Sequence, residues 1–437
     1  MGFISKIQVL TFLLTIGGAF GAEPVDFDSL WKNVRENSHG ILAEKTDFLA
    51  SEAGAARAGR HWAPRILANA QIVSTNDPGT TLFSNLGSRS LLASDLNPDS
   101  MNHPDRHWFK RGGLTLDWAL FEGGSGVAFA TGSNLEKKSR ELAFESRVNE
   151  EYAEIAGDYA KLMTVRSEIS AYSELKAKLQ SFLSRYKLGS KDNPVGYSGL
   201  LGMRALLNRL DGYIDQARVD GAALERTLLV RSGLEEAHVS TPQNLKVAEF
   251  IDLKLPPAKS VERTSLRAEA AKIGANAQAE YAKANRAHWL PKMGLFANGS
   301  LTSGPRDIGT STEYGAYLQW ELFNAGNVGV YREANLKAIA AQERADEATQ
   351  NSRMADETLS ESVPTLRENL RRIEDSLELT AEQVSVTEKL FRNGSINALQ
   401  FVEVLSRRTD VVQSHHLGQY AYVDSVAARF IQTGGKR

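Results

Sequence analysis

Two stretches of the chain alternate apolar and polar residues and then break at glycine. The first is Leu114-Thr115-Leu116-Asp117-Trp118-Ala119-Leu120-Phe121-Glu122-Gly123-Gly124, the second Tyr317-Leu318-Gln319-Trp320-Glu321-Leu322-Phe323-Asn324-Ala325-Gly326. Successive side chains of a strand point to opposite sides, so period-two alternation predicts a strand with two unlike faces. Leu114, Leu116, Trp118 and Leu120 share one face of the first, and Ala316, Leu318, Trp320 and Leu322 one face of the second. Thr115 and Asp117, then Gln319 and Glu321, take the opposite faces.

A helical pattern without proline runs from Phe27 to about Arg60 and stops at His61-Trp62-Ala63-Pro64, because proline drives the residue before it out of helical geometry. A strand over 65–73 and a loop rich in Gly, Ser, Asn, Asp and Pro follow, and the first alternating strand covers 112–121. A long helix then spans about 124–187. In it Tyr152, Ile155, Tyr159, Leu162, Val165, Ile169, Tyr172, Leu175, Leu179, Phe182 and Tyr186 recur every three or four residues, close to the coiled-coil step of 3.5. A turn at Gly189 and Ser190 leads to a return helix over about 200–231, and 240–259, with Pro256-Pro257, reads as a linker.

The same order then recurs. A helix over 260–286 ends at His288-Trp289-Leu290-Pro291-Lys292, matching His61 to Arg65. Strands over 292–302 and 313–323, a long helix over 326–392, a turn at Asn393-Gly394-Ser395 and a final helix over 397–431 complete it. Trp62 and Trp289 lie 227 residues apart, Trp118 and Trp320 lie 202 apart, and Gly189 and Gly394 lie 205 apart. Three landmark pairs in the same order mark a tandem duplication, with repeats over 22–239 and 260–437. The drop in offset lies between the tryptophans, 56 residues apart in the first repeat and 31 in the second, so the first hairpin carries the longer loop.

Long helices of this size approach 100 Å at about 1.5 Å per residue, which predicts a helical wall rather than a globule. Pro364 is the misfit, because inside a helix it removes a backbone bond and costs on the order of 3 kcal/mol. Four strands cannot close a barrel, for which about eight are needed, and lipid does not tolerate open sheet edges. Cyclic association of three copies gives twelve strands. Trp62, Trp118, Trp289 and Trp320 sit at strand–helix junctions, where an aromatic girdle at a membrane–water boundary belongs.

Composition removes alternatives. The 437 residues carry a formal charge of −2 and no cysteine, so no basic surface for nucleic acid, disulfide, thiolate metal site or lipidated N-terminal cysteine is expected. Lys6, the apolar run Ile7–Ile16 and the small residues through Ala19, Gly21 and Ala22 read as a secretory signal peptide over 1–21. Gly123-Gly124-Ser125-Gly126 lacks the Gly-Lys-Ser/Thr of a phosphate loop. His415 and His416 are adjacent and cannot share a helix face, which argues against a metal site. No catalytic, cofactor-binding or metal-ligating residue is expected. The competing reading is a secreted or periplasmic helical coiled-coil scaffold with no channel.

The order helix, Trp-x-Pro, strand hairpin, long helix, glycine turn and return helix, made twice after a signal peptide, resembles the TolC-like outer-membrane efflux proteins. Ser265-Leu266-Arg267-Ala268, with the alanine-rich helix into Trp289-Leu290-Pro291, carries the likeness most closely. The resemblance implies a mainly α protein with a transmembrane β part: a homotrimer whose twelve-stranded barrel sits in outer-membrane lipid above a periplasmic α-helical tunnel. It implies no enzymatic activity and no cofactor. Its tips, here Gly189, Ser190, Gly394 and Ser395, would dock on a periplasmic adaptor linked to an inner-membrane transporter. The family often places two acidic residues, three apart, at the tunnel's narrow end. Those positions here are Gln400 and Glu403, so the constriction role carries over to Glu403 and departs from the pattern at Gln400.

Overall fold

The computed structural model describes residues 24–186, 194–242, 244–256 and 265–434. The expected signal peptide, the turn at Gly189 and Ser190, and the end of the expected linker lie outside the described residues.

In chain order the elements are β1 (Pro24–Val25), α1 (Phe27–Asn37), α2 (His39–Ala58), β2 (Arg65–Thr75), α3 (Pro78–Gly87), α4 (Pro98–Asn102), β3 (His107–Glu122) and α5 (Ser125–Leu183). They continue with α6 (Pro194–Ser232), β4 (His238–Val239), α7 (Val247–Lys254), α8 (Leu266–Arg286), β5 (Lys292–Ser303), β6 (Ile308–Gln319), α9 (Val330–Arg392) and α10 (Ala398–Thr433). Two compact units emerge: one of residues to Ala43, Ser146–Arg263 and from Arg353 on, the other of Glu44–Glu145 and Thr264–Ser352.

The first unit is helical apart from the short parallel pair of β1 and β4. Asp26 caps α1 by accepting from the Ser29 amide at 3.0 Å, satisfying one of the helix's free donors. The buried ring of Phe27 meets Tyr152, Tyr159 and Phe250 edge-on, with centroids 5.7, 5.5 and 5.4 Å away. Of the heptad positions, all but Ile169 and Tyr186 are buried, and α5 ends at Leu183, short of Tyr186. Tyr172, Leu175, Leu179 and Phe182 interlock with Met203, Leu206, Leu210 and Ile214 of α6 and with Phe401, Leu405 and Val412 of α10. That three-four spacing on each partner is what lets side chains of one helix seat between those of the next.

The second unit holds one antiparallel sheet of order β2-β3-β5-β6. Beside it α8 buries Ala268, Ala270, Ala275, Ala277 and Ala282, a small-residue face that lets neighbouring backbone come close. Ser139 donates to the Ala270 carbonyl at 2.7 Å. Among the described residues β2 and β6 pair on one side only.

Several elements differ from the sequence reading. The helix expected over 27–60 breaks at Ser38, whose hydroxyl is used locally by the Ile41 amide and reaches Glu151 at 3.1 Å. The expected loop over 74–111 holds α3 and α4, and β3 starts at His107. Asp77 followed by Pro78 starts α3, the carboxylate accepting from the Thr80 amide at 2.6 Å. The expected linker contains α7, which buries Val247, Phe250 and Ile251. The last strand covers 308–319 rather than 313–323. Its partner β5 begins at Lys292 against Gln319, and Pro291 before it cannot donate to a longer ladder. Finally, α9 runs through Pro364 unbroken. The proline lies on the exposed side of that helix.

Candidate functional site

The ladder sorts the sheet's side chains. Ile66 pairs with Leu116, Leu116 with Ala297 and Ala297 with Tyr314, and two residues along Leu114 follows the same face. Ile66, Ile72, Trp108, Leu114, Leu295, Leu301, Tyr314 and Leu318 thus form an apolar face, and all of them are exposed. The β3–β5 register shifts between Ala119 and Phe121, so Leu120 is the extra residue of a bulge and both it and Phe121 are exposed. An apolar sheet face this broad, left open, calls for a covering of lipid or protein.

The other face is polar and centred on Asp117. Arg65, directly opposite in the ladder, approaches its carboxylate at 3.1 Å, and the Tyr317 hydroxyl donates to it at 3.0 Å. Tyr317 is two strands away and reaches across β5 because Gly294 lies beneath it. A Cβ at Gly294 would stand 2.5 Å from the Tyr317 oxygen and 2.6 Å from the Trp118 carbonyl. Phe296 lies over Gly315 in the same manner, 2.9 Å from where a Cβ would be. Ser300 and Ser311 bond at 2.7 Å farther along. One face therefore suits hydrocarbon and the other suits water.

The four tryptophans form two matching clasps. Trp118 donates its indole N–H to the Trp62 carbonyl at 2.8 Å, and Trp320 donates to the Trp289 carbonyl at 3.3 Å. All four are exposed, Trp62 by 64% and Trp320 by 57%. An apolar ring body with its N–H already bonded suits a boundary between hydrocarbon and water.

In the first unit, the turn between α9 and α10 carries Gly394 and Ser395. Gly394 has φ +72°, the left-handed conformation that glycine adopts without penalty. Its amide donates to the Phe391 carbonyl at 3.0 Å and that of Ser395 to the Leu390 carbonyl at 2.9 Å, closing the helix end as a left-handed cap does. Behind the turn, Phe401 stacks on Phe391 at 5.0 Å and meets Phe182 edge-on at 4.6 Å. An open cavity of about 750 Å³ lies among Tyr186, Phe391, Ile396 and Gln400.

Gln400 has a structural job. Its side chain accepts from the Asn397 amide at 3.1 Å while Asn397 accepts from the Gln400 amide at 3.0 Å, a reciprocal cap that starts α10. Glu403 lies on the exposed stripe of α10 and accepts from Arg407 at 2.6 Å. Arg407 stands four residues after Glu403, a spacing that puts the two on one helix face and is legible in the sequence. The Asp117 cluster has no such local signal, because it depends on register.

Residues 260–428 match the family described as outer membrane efflux protein. No curated protein matches the chain in sequence. Among solved structures, CusC is similar with a TM-score of 0.77 at 13% identity, covering 97% of this chain and 96% of that one. The CmeC outer membrane channel of Campylobacter jejuni gives 0.73 at 14% identity, covering 98% and 94%. The outer membrane protein VceC of Vibrio cholerae gives 0.74 at 12%, covering 94% and 96%. At such low identity these structures bear on the fold, and their coverage extends it to nearly the whole chain.

Proposed function

We propose that the chain works as a member of the outer membrane efflux protein family, whose model matches residues 260–428. It is an outer-membrane exit duct of a multicomponent export system, with a large periplasmic portion, and conducts its cargo passively. The family consists of channels rather than enzymes. Its members are trimers that work with an adaptor and an inner-membrane pump.

For this chain we propose a homotrimer in which β6 of one copy pairs with β2 of the next, closing twelve strands. Supporting it is the four-stranded sheet with an exposed apolar face, a polar face and two free edges. A scaffold protein without a membrane role has no use for that combination. The apolar face meets outer-membrane lipid, the Asp117 face lines the water-filled lumen, and the tryptophan clasps mark the lipid boundary. The two repeats, 22–239 and 260–437, each supply one hairpin and one helical tip, joined through 240–259.

Gly189, Ser190, Gly394 and Ser395 are proposed to present the tips to a periplasmic adaptor. Glu403, with Arg407 beside it and Gln400 one turn earlier, is proposed to face the narrow end of the tunnel. The test is reconstitution of the purified full chain into a planar bilayer, alongside its mass in detergent. Discrete conductance steps from a trimer are expected. A stable monomer that leaves the bilayer silent would favour the scaffold reading.

A further inference from the structure

Where α7, α9 and α10 come together, the first unit has an open cavity of about 360 Å³, within the size range of small-molecule sites. Its walls include Leu255, Val363, Val426 and Phe430, all buried. The charged residues at its margin are unequally partnered. Arg367 pairs with Asp252 at 2.7 Å, and the Tyr422 hydroxyl donates to the same carboxylate at 2.8 Å. Arg367 also donates to the Tyr422 oxygen at 3.4 Å. Burial, and then the bond to Asp252, push the Tyr422 hydroxyl up to about 12, so it stays a neutral donor.

Asp252 is therefore balanced by Arg367 and already accepts from two side chains. Arg429 is different. It lines the same cavity, it has no acidic partner among the described residues, and its Nε is buried without a hydrogen-bond partner. A guanidinium edge held against apolar walls without an acceptor is costly, and a carboxylate satisfies it through two parallel bonds. Among the described residues that line it, the cavity thus carries one uncompensated positive charge, Arg429, beside a greasy surface. An amine would find Asp252 occupied, and a doubly charged anion would exceed that charge.

We propose that this cavity binds an amphipathic monocarboxylate, its apolar body against Leu255, Val363, Val426 and Phe430 and its carboxylate on Arg429. The site shares no residue with the sheet or with the Glu403 end of α10, and it does not depend on how Glu403 is placed. It can be probed with 4-phenylbutyrate and the matching neutral 4-phenylbutan-1-ol. Each is titrated calorimetrically into the full-length protein in lipid nanodiscs, with empty nanodiscs subtracted. The acid should bind at least about tenfold more tightly than the alcohol, the size expected of a hydrogen bond to a charged group. Arg429→Gln should erase that difference while leaving the oligomer's mass and thermal midpoint intact. Val426→Trp should abolish binding of both probes by filling the cavity. Equal binding of acid and alcohol, or no binding of the acid, overturns the proposal. So does a loss of oligomer in Arg429→Gln with acid binding unchanged, which would make Arg429 a contact between copies.

Discussion

Arg407→Gln is the change that most sharply examines the narrow end of the proposed tunnel. Glu403 alone would predict a cation-selective constriction, because three carboxylates would converge there. The structure puts Arg407 2.6 Å from Glu403, and a close pair's field falls off as a dipole rather than as a charge. The parent channel should therefore discriminate weakly between small cations and anions, and millimolar divalent ions should block it little. Removing the arginine leaves three bare carboxylates. Placed about 8 Å from the axis and screened by about 0.1 M salt, they lower a monovalent cation's energy by roughly 0.7 kcal/mol. That raises cations about threefold and depresses anions as much, a change of roughly tenfold in the permeability ratio. Both side chains are about three-fifths exposed, at 61% and 62%, so the pair contributes at most a few tenths of a kcal/mol and assembly should be unaffected. The assay is the reversal potential in a planar bilayer under a potassium chloride gradient. Arg407→Gln should move it towards potassium, Glu403→Gln towards chloride, and the double variant should return near the parent. If neither single variant moves it while the channel conducts, the pair faces away from the path. If Glu403→Gln alone moves it, the carboxylates act unpaired and the dipole argument fails.

Three other outcomes are expected. Phe401→Ala should lower stability by roughly 3–5 kcal/mol, since a fully buried ring between Phe182 and Phe391 is lost; a thermal midpoint like the parent's would show that the tip packs loosely. Trp118→Asp should reduce trimer yield more than Trp118→Phe, because it adds a charge at the lipid boundary as well as removing the bond to Trp62. The cost should stay under the roughly 2–4 kcal/mol seen for cationic groups at mid-membrane, and equal yields in the Asp variant and parent would contradict the girdle. His415 of α10 is held below its ordinary value by burial, against the opposing pull of Glu374. A histidine that takes up a proton less readily folded than unfolded contributes stability in full above about pH 6.5, and that contribution is lost as the pH falls. The thermal midpoint should therefore drop on acidification from pH 7.5 to 5.5, and less so in His415→Gln; identical slopes would remove His415 from the account.

How far the sequence could be read depended on the range of the signal. The tandem order, the Trp-x-Pro junctions and the heptad on α5 are periodic and local, and the fold and the resemblance to the efflux family follow from them. The separation of His415 from His416 was also visible: they turn to different helices, His416 meeting Glu168 at 2.8 Å and His415 lying 3.9 Å from Glu374. What escaped were features set by partners far along the chain. Tyr317 meets Asp117 only because the register passes it over Gly294. The bulge at Leu120 breaks an alternation that looks perfect in one dimension. The short α7 was hidden because eight residues beside a proline pair resemble a linker, although Val247, Phe250 and Ile251 carry a helical spacing. The family pattern marks position 400 and is silent on Arg407.

The two free edges of the sheet differ in sequence and in neighbours, β2 on one flank and β6 on the other. Pairing unlike edges is head-to-tail association, which needs no twofold axis and can in principle go on adding copies. Only curvature decides whether the third copy meets the first or a fourth joins the row. In the proposed assembly, every intermediate before closure would display one adhesive flank at each end and an apolar face between them. Such a chain is safest when its copies find one another already at the bilayer, so overproduction ahead of delivery should yield linear aggregates rather than surplus closed oligomers. Because β2 and β6 differ, a lysine placed on either one blocks a single flank and should trap short open chains, a failure that a symmetric dimer interface cannot show.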